Sequence, residues 1–236
     1  MKPPIVCCGA CIVLLLASCT RGSVELRQST VAPGINDAYA DVQDVGVWVE
    51  RFEREGREVY AKRSAIARIV AARADATLAD IGAGTGLFTL LLAARLSEGK
   101  VIAVDIVPAF LEHIRALTDE AELSNVDTVL CKEDSVELPP DSIDLAFICD
   151  TYHHFEYPRD TMRSLHDALR AGGELVVVDF QRIPGQSSDW ILGHVRAGRE
   201  VVVEEISSYG FELVEDLTDT IGLKKNYMLR FRRSAR

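Results

Sequence analysis

The stretch Asp80-Ile81-Gly82-Ala83-Gly84-Thr85-Gly86 decides the reading of this chain. A short apolar run, Thr77–Ile81, leads into it, and the apolar run Leu87-Phe88-Thr89-Leu90-Leu91-Leu92 follows. A strand that breaks into a glycine loop and then a helix lets a ligand lie against bare backbone. Glycine lacks a Cβ, so the chain can turn sharply and the ligand can come close. The helix beyond offers free N–H groups and a partial positive charge.

Working outward, strand and helix patterns alternate. Upstream, Val45 to Arg73 reads as helical with a break near Gly56. Downstream, Leu87–Leu96 is a helix and Val101–Val104 a strand ending at Asp105. Pro108 opens a helix whose apolar stripe is Phe110, Leu111, Ile114 and Leu117. Thr128–Cys131 and Ile143–Cys149 are further strands. Pro158 opens another helix, stopped by Ala171-Gly172-Gly173, and Leu175–Phe180 is a fifth strand. A helix over Gly193–Ile206 and the strands Phe211–Leu217 and Tyr227–Phe231 complete the order. Repeated β-then-α with short connections predicts an α/β domain over residues 45–236. Its form is a doubly wound, mostly parallel sheet with helices on both faces. Ligands of such sheets bind beyond the carboxyl ends of the strands. Asp80, Asp105, Asp134 and Asp150 fall at or just past strand ends, so four carboxylates are expected around one crevice.

That ring discriminates between ligands. A phosphate-cradling loop needs a lysine and a hydroxyl after its last glycine, and Leu87 and Phe88 stand there instead. A dinucleotide loop places its glycines differently, and a carboxylate two residues before Gly82 would repel a pyrophosphate. A cationic amino-acid end would be attracted to it. Asp105 is placed to accept hydrogen bonds from ribose hydroxyls, and Ile106 to pack on a base.

In this respect the chain resembles the class I S-adenosylmethionine-dependent methyltransferases. LADIGAGTG (Leu78–Gly86), VIAVDI (Val101–Ile106), the acid of CKEDSVELP (Asp134) and LRAGGELVVVDF (Leu169–Phe180) carry the resemblance. It implies a Rossmann-like seven-stranded sheet with the last strand antiparallel, and S-adenosyl-L-methionine as cofactor. It also implies site roles. Asp80, Gly82, Ala83, Gly84 and Gly86 would hold the methionine end and Asp105 with Ile106 the ribose and base. Asp134 or Ser135 would reach the adenine amino group, and Asp150 would complete the cofactor site. His153 and His154, after the fourth strand, would face the transferred methyl and a small-molecule or lipid-like acceptor, one of them as a base. The helix before the first strand would form a lid, with Trp48, Phe52 and Tyr60 as covering groups. Asp80 as a helix cap, Asp105 as a turn residue and Asp134 as surface charge are the plain rival readings.

Other features bound the function. The 236 residues carry a formal net charge of −10, which disfavours a nucleic-acid partner. Arg230, Arg232, Arg233 and Arg236 read as a solvated edge. Lys2 and the apolar run Ile5–Ala17, ending in Leu16-Ala17-Ser18-Cys19, resemble a bacterial lipoprotein signal peptide over residues 1–19. The resemblance implies lipidation of Cys19, a tether over residues 20–44 and an extracytoplasmic, membrane-anchored domain. Pro3, Pro4, Cys7, Cys8 and Cys11 depart from that pattern and leave open an uncleaved anchor, or a mis-assigned start with a cytoplasmic domain. The leader also keeps a second function in view, a non-catalytic ligand-binding lipoprotein on a methyltransferase scaffold. Cys131 and Cys149 read as buried free thiols. No metal-ligand spacing stands out. His113, His166 and His194 sit in helical segments without a constellation.

Overall fold

A computed structural model describes Met1 and residues 29–234. The lipobox-like Cys19 and the rest of the leader lie outside the described residues, as does Arg236. The strands are β1 (Thr77–Ile81), β2 (Lys100–Asp105), β3 (Val126–Leu130), β4 (Ile143–Cys149), β5 (Leu169–Phe180), β6 (Phe211–Asp216) and β7 (Asn226–Arg233). The helices are α1 (Val45–Phe52), α2 (Glu58–Ala61), α3 (Arg63–Val70), α4 (Leu87–Ala93), α5 (Pro108–Glu120), α6 (Pro158–Ala168), α7 (Asp189–His194), α8 (Arg199–Ser208) and α9 (Thr218–Ile221).

The strands form one sheet in the order β3-β2-β1-β4-β5-β7-β6. β7 alone runs antiparallel to its neighbours. Successive side chains of a strand point to opposite faces, and the core divides accordingly. Ala79 and Ile81 of β1 and Leu175 and Val177 of β5 join one apolar cluster with Met162 and Leu165 of α6 and Ile206 of α8. Leu78, Val176 and Val178 join the other, with Ile66 and Val70 of α3 and Phe88 and Leu92 of α4. Both faces are therefore covered, as the continuous apolar runs of β1, β4 and β5 require.

The chain order reverses between β1 and β4, which pair directly while β2 and β3 extend the other way. A crevice opens at that point, beyond the carboxyl ends of the strands. The predicted sheet, its strand count and its antiparallel strand all hold.

Beyond shifts of a few residues at element ends, three elements differ in kind from the sequence expectation. The helix before β5 ends at Ala168, and Ala171-Gly172-Gly173 instead forms a bulge inside β5, with Gly172 at φ +74°. The single helix expected over Gly193–Ile206 is two, α7 and α8. Arg182 ends the first by donating to the carbonyls of Val195 at 2.7 Å and Leu192 at 3.0 Å. The N-terminal helical region is three pieces, α1 to α3. Among the described residues no helix is long and apolar enough to cross a membrane. Cys131 and Cys149 are free thiols, half-buried.

Leu78 is fully buried between β2 and β4. Leu78→Ala should destabilise the domain by about 2–5 kcal/mol without changing its fold, read by urea denaturation alongside circular dichroism.

Candidate active site

The glycine loop between β1 and α4 turns on three left-handed residues, Gly82, Gly84 and Gly86 (φ +72°, +55° and +84°). At Gly82 the need is steric as well, because a Cβ there would lie 2.3 Å from Cγ2 of Thr151, on the loop after β4. The loop is fastened from both sides of the crevice. Gly82 and Ala83 donate their N–H groups to the Val104 carbonyl of β2. Gly84 N–H donates to Asp105 Oδ2 at 2.8 Å, and Val107 N–H donates to Asp105 Oδ1 at 2.8 Å. Asp105 thus joins the glycine loop to the start of α5. The Ile106 N–H is a third backbone donor to Asp105, which leaves its carboxylate one lone pair for a further donor.

Asp80 is buried and accepts from Thr89 Oγ1 of α4 at 2.7 Å. It does fasten the following helix, as its plain reading held, and it also lines the cavity. Burial, opposed in part by the Thr89 bond and reinforced by Asp105, raises the Asp80 carboxyl from 3.8 to about 7. Burial likewise raises Asp105 to about 6 against its backbone donors. Two desolvated acids side by side make a site that favours a cation.

The cavity measures about 1150 Å³ and contains the loop Asp80–Thr85, Asp105, Ile106, Ser135, Asp150, His153 and His154. Ile106 presents its apolar side chain to it and is 45% exposed. A single-ligand pocket spans roughly 300–1,000 Å³, so two small molecules can sit here together. Three of the four expected carboxylates line the cavity. Asp134 does not, and borders a shallower depression beside it with Ile106, Lys132 and Tyr157, while Glu133 and Ser135 stay in the main cavity.

Asp150 has a committed geometry. It sits at φ +48°, accepts from Arg57 at 2.6 Å through Oδ2 and from Asn226 Nδ2 at 2.7 Å through Oδ1. Arg57 caps the start of α2, so Asp150 ties the N-terminal helices to the rim. Glu58 repeats the tie: its carboxylate accepts the backbone N–H groups of Lys224, Lys225 and Asn226 at 2.7–2.9 Å. Thr85 Oγ1 adds a bond to Glu53 at 2.7 Å. Of the three expected covering groups only Phe52 lines the cavity. Trp48 is buried instead against Tyr39, Phe52 and Phe110, and Arg63 lies over the Tyr60 ring.

His153 and His154 occupy a short 3₁₀ turn after β4. His153 is 4% exposed; its Nδ1 lies 2.8 Å from Asp179 Oδ1, and its backbone N–H donates to Asp179 Oδ2 at 3.1 Å. Burial works against a charge on His153, but Asp179 outweighs it and the imidazole is raised. His154 Nδ1 lies 2.8 Å from Asn36 Oδ1. Burial, then His153 and His194, lower it to about 2. His194, expected to be isolated, packs against both, with ring centroids 5.2 and 5.1 Å away, and stacks on Trp190 at 4.4 Å. Burial, then His153, lower His194 to about 4. Trp190 and His194 are one helical turn apart, which was a readable signal that they share a face. Asp179, at the end of β5, follows the same strand-end logic as Asp80 and Asp105 and went unread. Arg57, Asn226 and Asn36 left no local signal.

A family model described as Methyltransferase domain matches residues 79–177. Among curated proteins, the chain is 31% identical over 103 residues to a malonyl-[acyl-carrier protein] O-methyltransferase of a Paenibacillus species, covering 43% of this chain and 37% of that protein. It is 27% identical over 108 residues to a ubiquinone/menaquinone biosynthesis C-methyltransferase of Escherichia fergusonii, covering 45% and 43%. The match thus spans less than half of either relative. Among solved structures, a SAM dependent methyltransferase from Aquifex aeolicus superposes with a TM-score of 0.68 at 15% identity, over 80% of this chain and 98% of that one.

The raised acids make a pH prediction. A carboxyl that holds its proton more tightly folded than unfolded contributes stability that is whole below the unfolded value of 3.8. That stability is lost as pH rises toward about 6 for Asp105 and about 7 for Asp80. Asp80→Asn, which keeps an acceptor for Thr89, should flatten the fall in Tm between pH 4 and 7, measured by scanning calorimetry without ligand. A slope equal to wild type would show that Asp80 ionises normally.

Residues 79–177 therefore match a methyltransferase domain, carried on the fold of the S-adenosylmethionine-dependent methyltransferases.

Proposed function

We propose that this chain is an S-adenosylmethionine-dependent methyltransferase that acts on a small-molecule or lipid-like acceptor. The observation that carries the reading is the buried Asp105 carboxylate, which holds the glycine loop and lines the cavity beside Ile106. The site chemistry fits the cofactor. S-adenosylmethionine supplies, when bound, a methyl group on a positively charged sulfur. Asp80, Gly82 and Gly84 offer a desolvated negative potential and bare backbone for its amino-acid end, while Gly86 lies outside the cavity and lets α4 start close against Ile114. Asp105 offers acceptors for ribose hydroxyls, Ile106 an apolar face for the base, and Ser135 or the adjoining Asp134 an acceptor or donor for its amino group. Asp150 contributes by holding Arg57 and with it the lid.

Methyl transfer is an in-line displacement, so the protein's work is positioning and the exclusion of water. The acceptor end of the cavity is lined by Phe155, Phe180, Ile183 and Trp190, which favours an apolar acceptor body. His153 and His154 stand at that end. With Nδ1 of each committed, Nε2 is the nitrogen left to meet an acceptor or an ion. The names of the relatives range from a malonyl-carrier-protein enzyme to a quinone enzyme and do not narrow the acceptor. Attachment to a membrane through a lipid on Cys19 stands as a separate proposal on the sequence pattern Leu16–Cys19. Labelled palmitate incorporated by wild type and equally by Cys19→Ala would overturn it.

Calorimetric titration with S-adenosylmethionine should show one site per chain. Asp105→Ala should weaken it about ten- to a hundredfold, through the loss of one or two charge-assisted bonds. Because Asp105 also holds Gly84 and Val107, Asp105→Asn, which keeps one acceptor, should fall between the two. No binding by wild type would overturn the reading, and unchanged affinity in Asp105→Ala would remove the ribose assignment. Transfer of labelled methyl to a fractionated cell extract separates an enzyme from a non-catalytic binder.

A further inference from the structure

The histidines at the acceptor end carry a second site. His153 and His154 come from the turn after β4 and His194 from the end of α7, and one ring nitrogen of each lies within 4.8 Å of the other two. All three line the cavity. The tautomers of two are fixed. Asp179 can only accept, so Nδ1 of His153 carries the proton. Asn36 donates its Nδ2 to the His154 carbonyl and to Glu156 Oε1, both at 3.1 Å, which sets the amide so that its oxygen faces Nδ1 of His154. In both rings Nε2 is then left with a bare lone pair.

We propose that His153, His154 and His194 bind one divalent transition-metal ion of the zinc class, with a coordination position open to the cavity. Imidazole sets of this kind suit zinc, copper, iron and nickel. Tetrahedral zinc with bonds of about 2.0–2.1 Å places its ligand nitrogens roughly 3.3 Å apart, so from the 4.8 Å span closure needs a contraction of up to about 1.5 Å. His194 is free to supply it, being half-buried at the end of the six-residue α7. The outer contacts match those of metal-bound histidine, whose other ring nitrogen donates to a carboxylate or carbonyl oxygen and is thereby oriented. Asp179 fills that role for His153 and the Asn36 amide for His154. Asp179 also places a buried negative charge behind the site. The open position would take an oxygen, sulfur or nitrogen donor from a small molecule in the cavity.

The test uses the whole chain, stripped with a chelator, dialysed and titrated with Co²⁺ alone. One equivalent should produce the visible absorption of a nitrogen-ligated ion of low coordination number and raise Tm, and Zn²⁺ should displace it. His194→Ala removes a ligand without touching the sheet core. It should weaken binding on the order of a hundredfold or more while leaving the metal-free Tm near wild type. Asp179→Asn, a positioning change, should weaken it about ten- to a hundredfold. Wild type with no spectral change at one equivalent, or His194→Ala titrating like wild type, would overturn the site. The titration contains no S-adenosylmethionine, so its outcome is independent of the methyl-transfer reading.

Discussion

The burial of acid at the carboxyl ends of β1 and β2 is the constraint around which this molecule is arranged. A carboxylate removed from water needs donors. Asp105 finds them in the N–H groups of Gly84 and Val107, and Asp80 finds one in Thr89. Those bonds do structural work first: they fix the glycine loop, the start of α5 and the flank of α4 relative to one another. They do not fully compensate the burial, since both groups remain raised well above ordinary carboxylates. The residual cost is what makes the crevice selective. A cation placed there would relieve that cost and an anion would add to it.

The sheet supplies the geometry for this. Parallel strands flanked on both faces leave only their ends accessible, and the divergence of connections at β1 and β4 leaves a gap there. Gly82 and Thr151 approach so closely across that gap that only glycine fits. The width of the crevice at its floor is therefore set by a missing Cβ. The apolar end of the cavity draws Phe155 from the turn after β4, Phe180 from the last position of β5 and Trp190 from the short α7, so most of its shape comes from outside the sheet's interior.

Much of this was legible from residues in order. The apolar runs of β1, β4 and β5 are continuous because both faces are buried, and that makes them visible. Asp80, Asp105 and Asp150 were readable because a strand end is a local pattern. What stayed hidden depends on the chain returning from elsewhere. The partnership of Arg57 with Asp150 and Asn226 joins three distant segments, and no spacing encodes it. His194 looked ordinary because its neighbours come from the turn after β4. The split between α7 and α8 was missed because Arg182, in the preceding loop, supplies the donors that end α7. Asp134 borders the depression beside the main cavity while Glu133 lines both, a difference that adjacent acids do not reveal by position.

The grip of Glu58 on the N–H groups of residues 224–226 has a consequence for how the protein is made. One wall of the cavity belongs to α1 and α2 and is held by residues 224–226 at the start of β7, more than 160 positions further along the chain. Contacts so distant in sequence form late, since the loop between them must close before they give any return. During synthesis the glycine loop and the strands behind it can assemble while this wall still hangs open. The wall of the pocket is thus complete only once the β6–β7 hairpin has docked on the first helices, which ties the shape of the pocket to that one long-range contact.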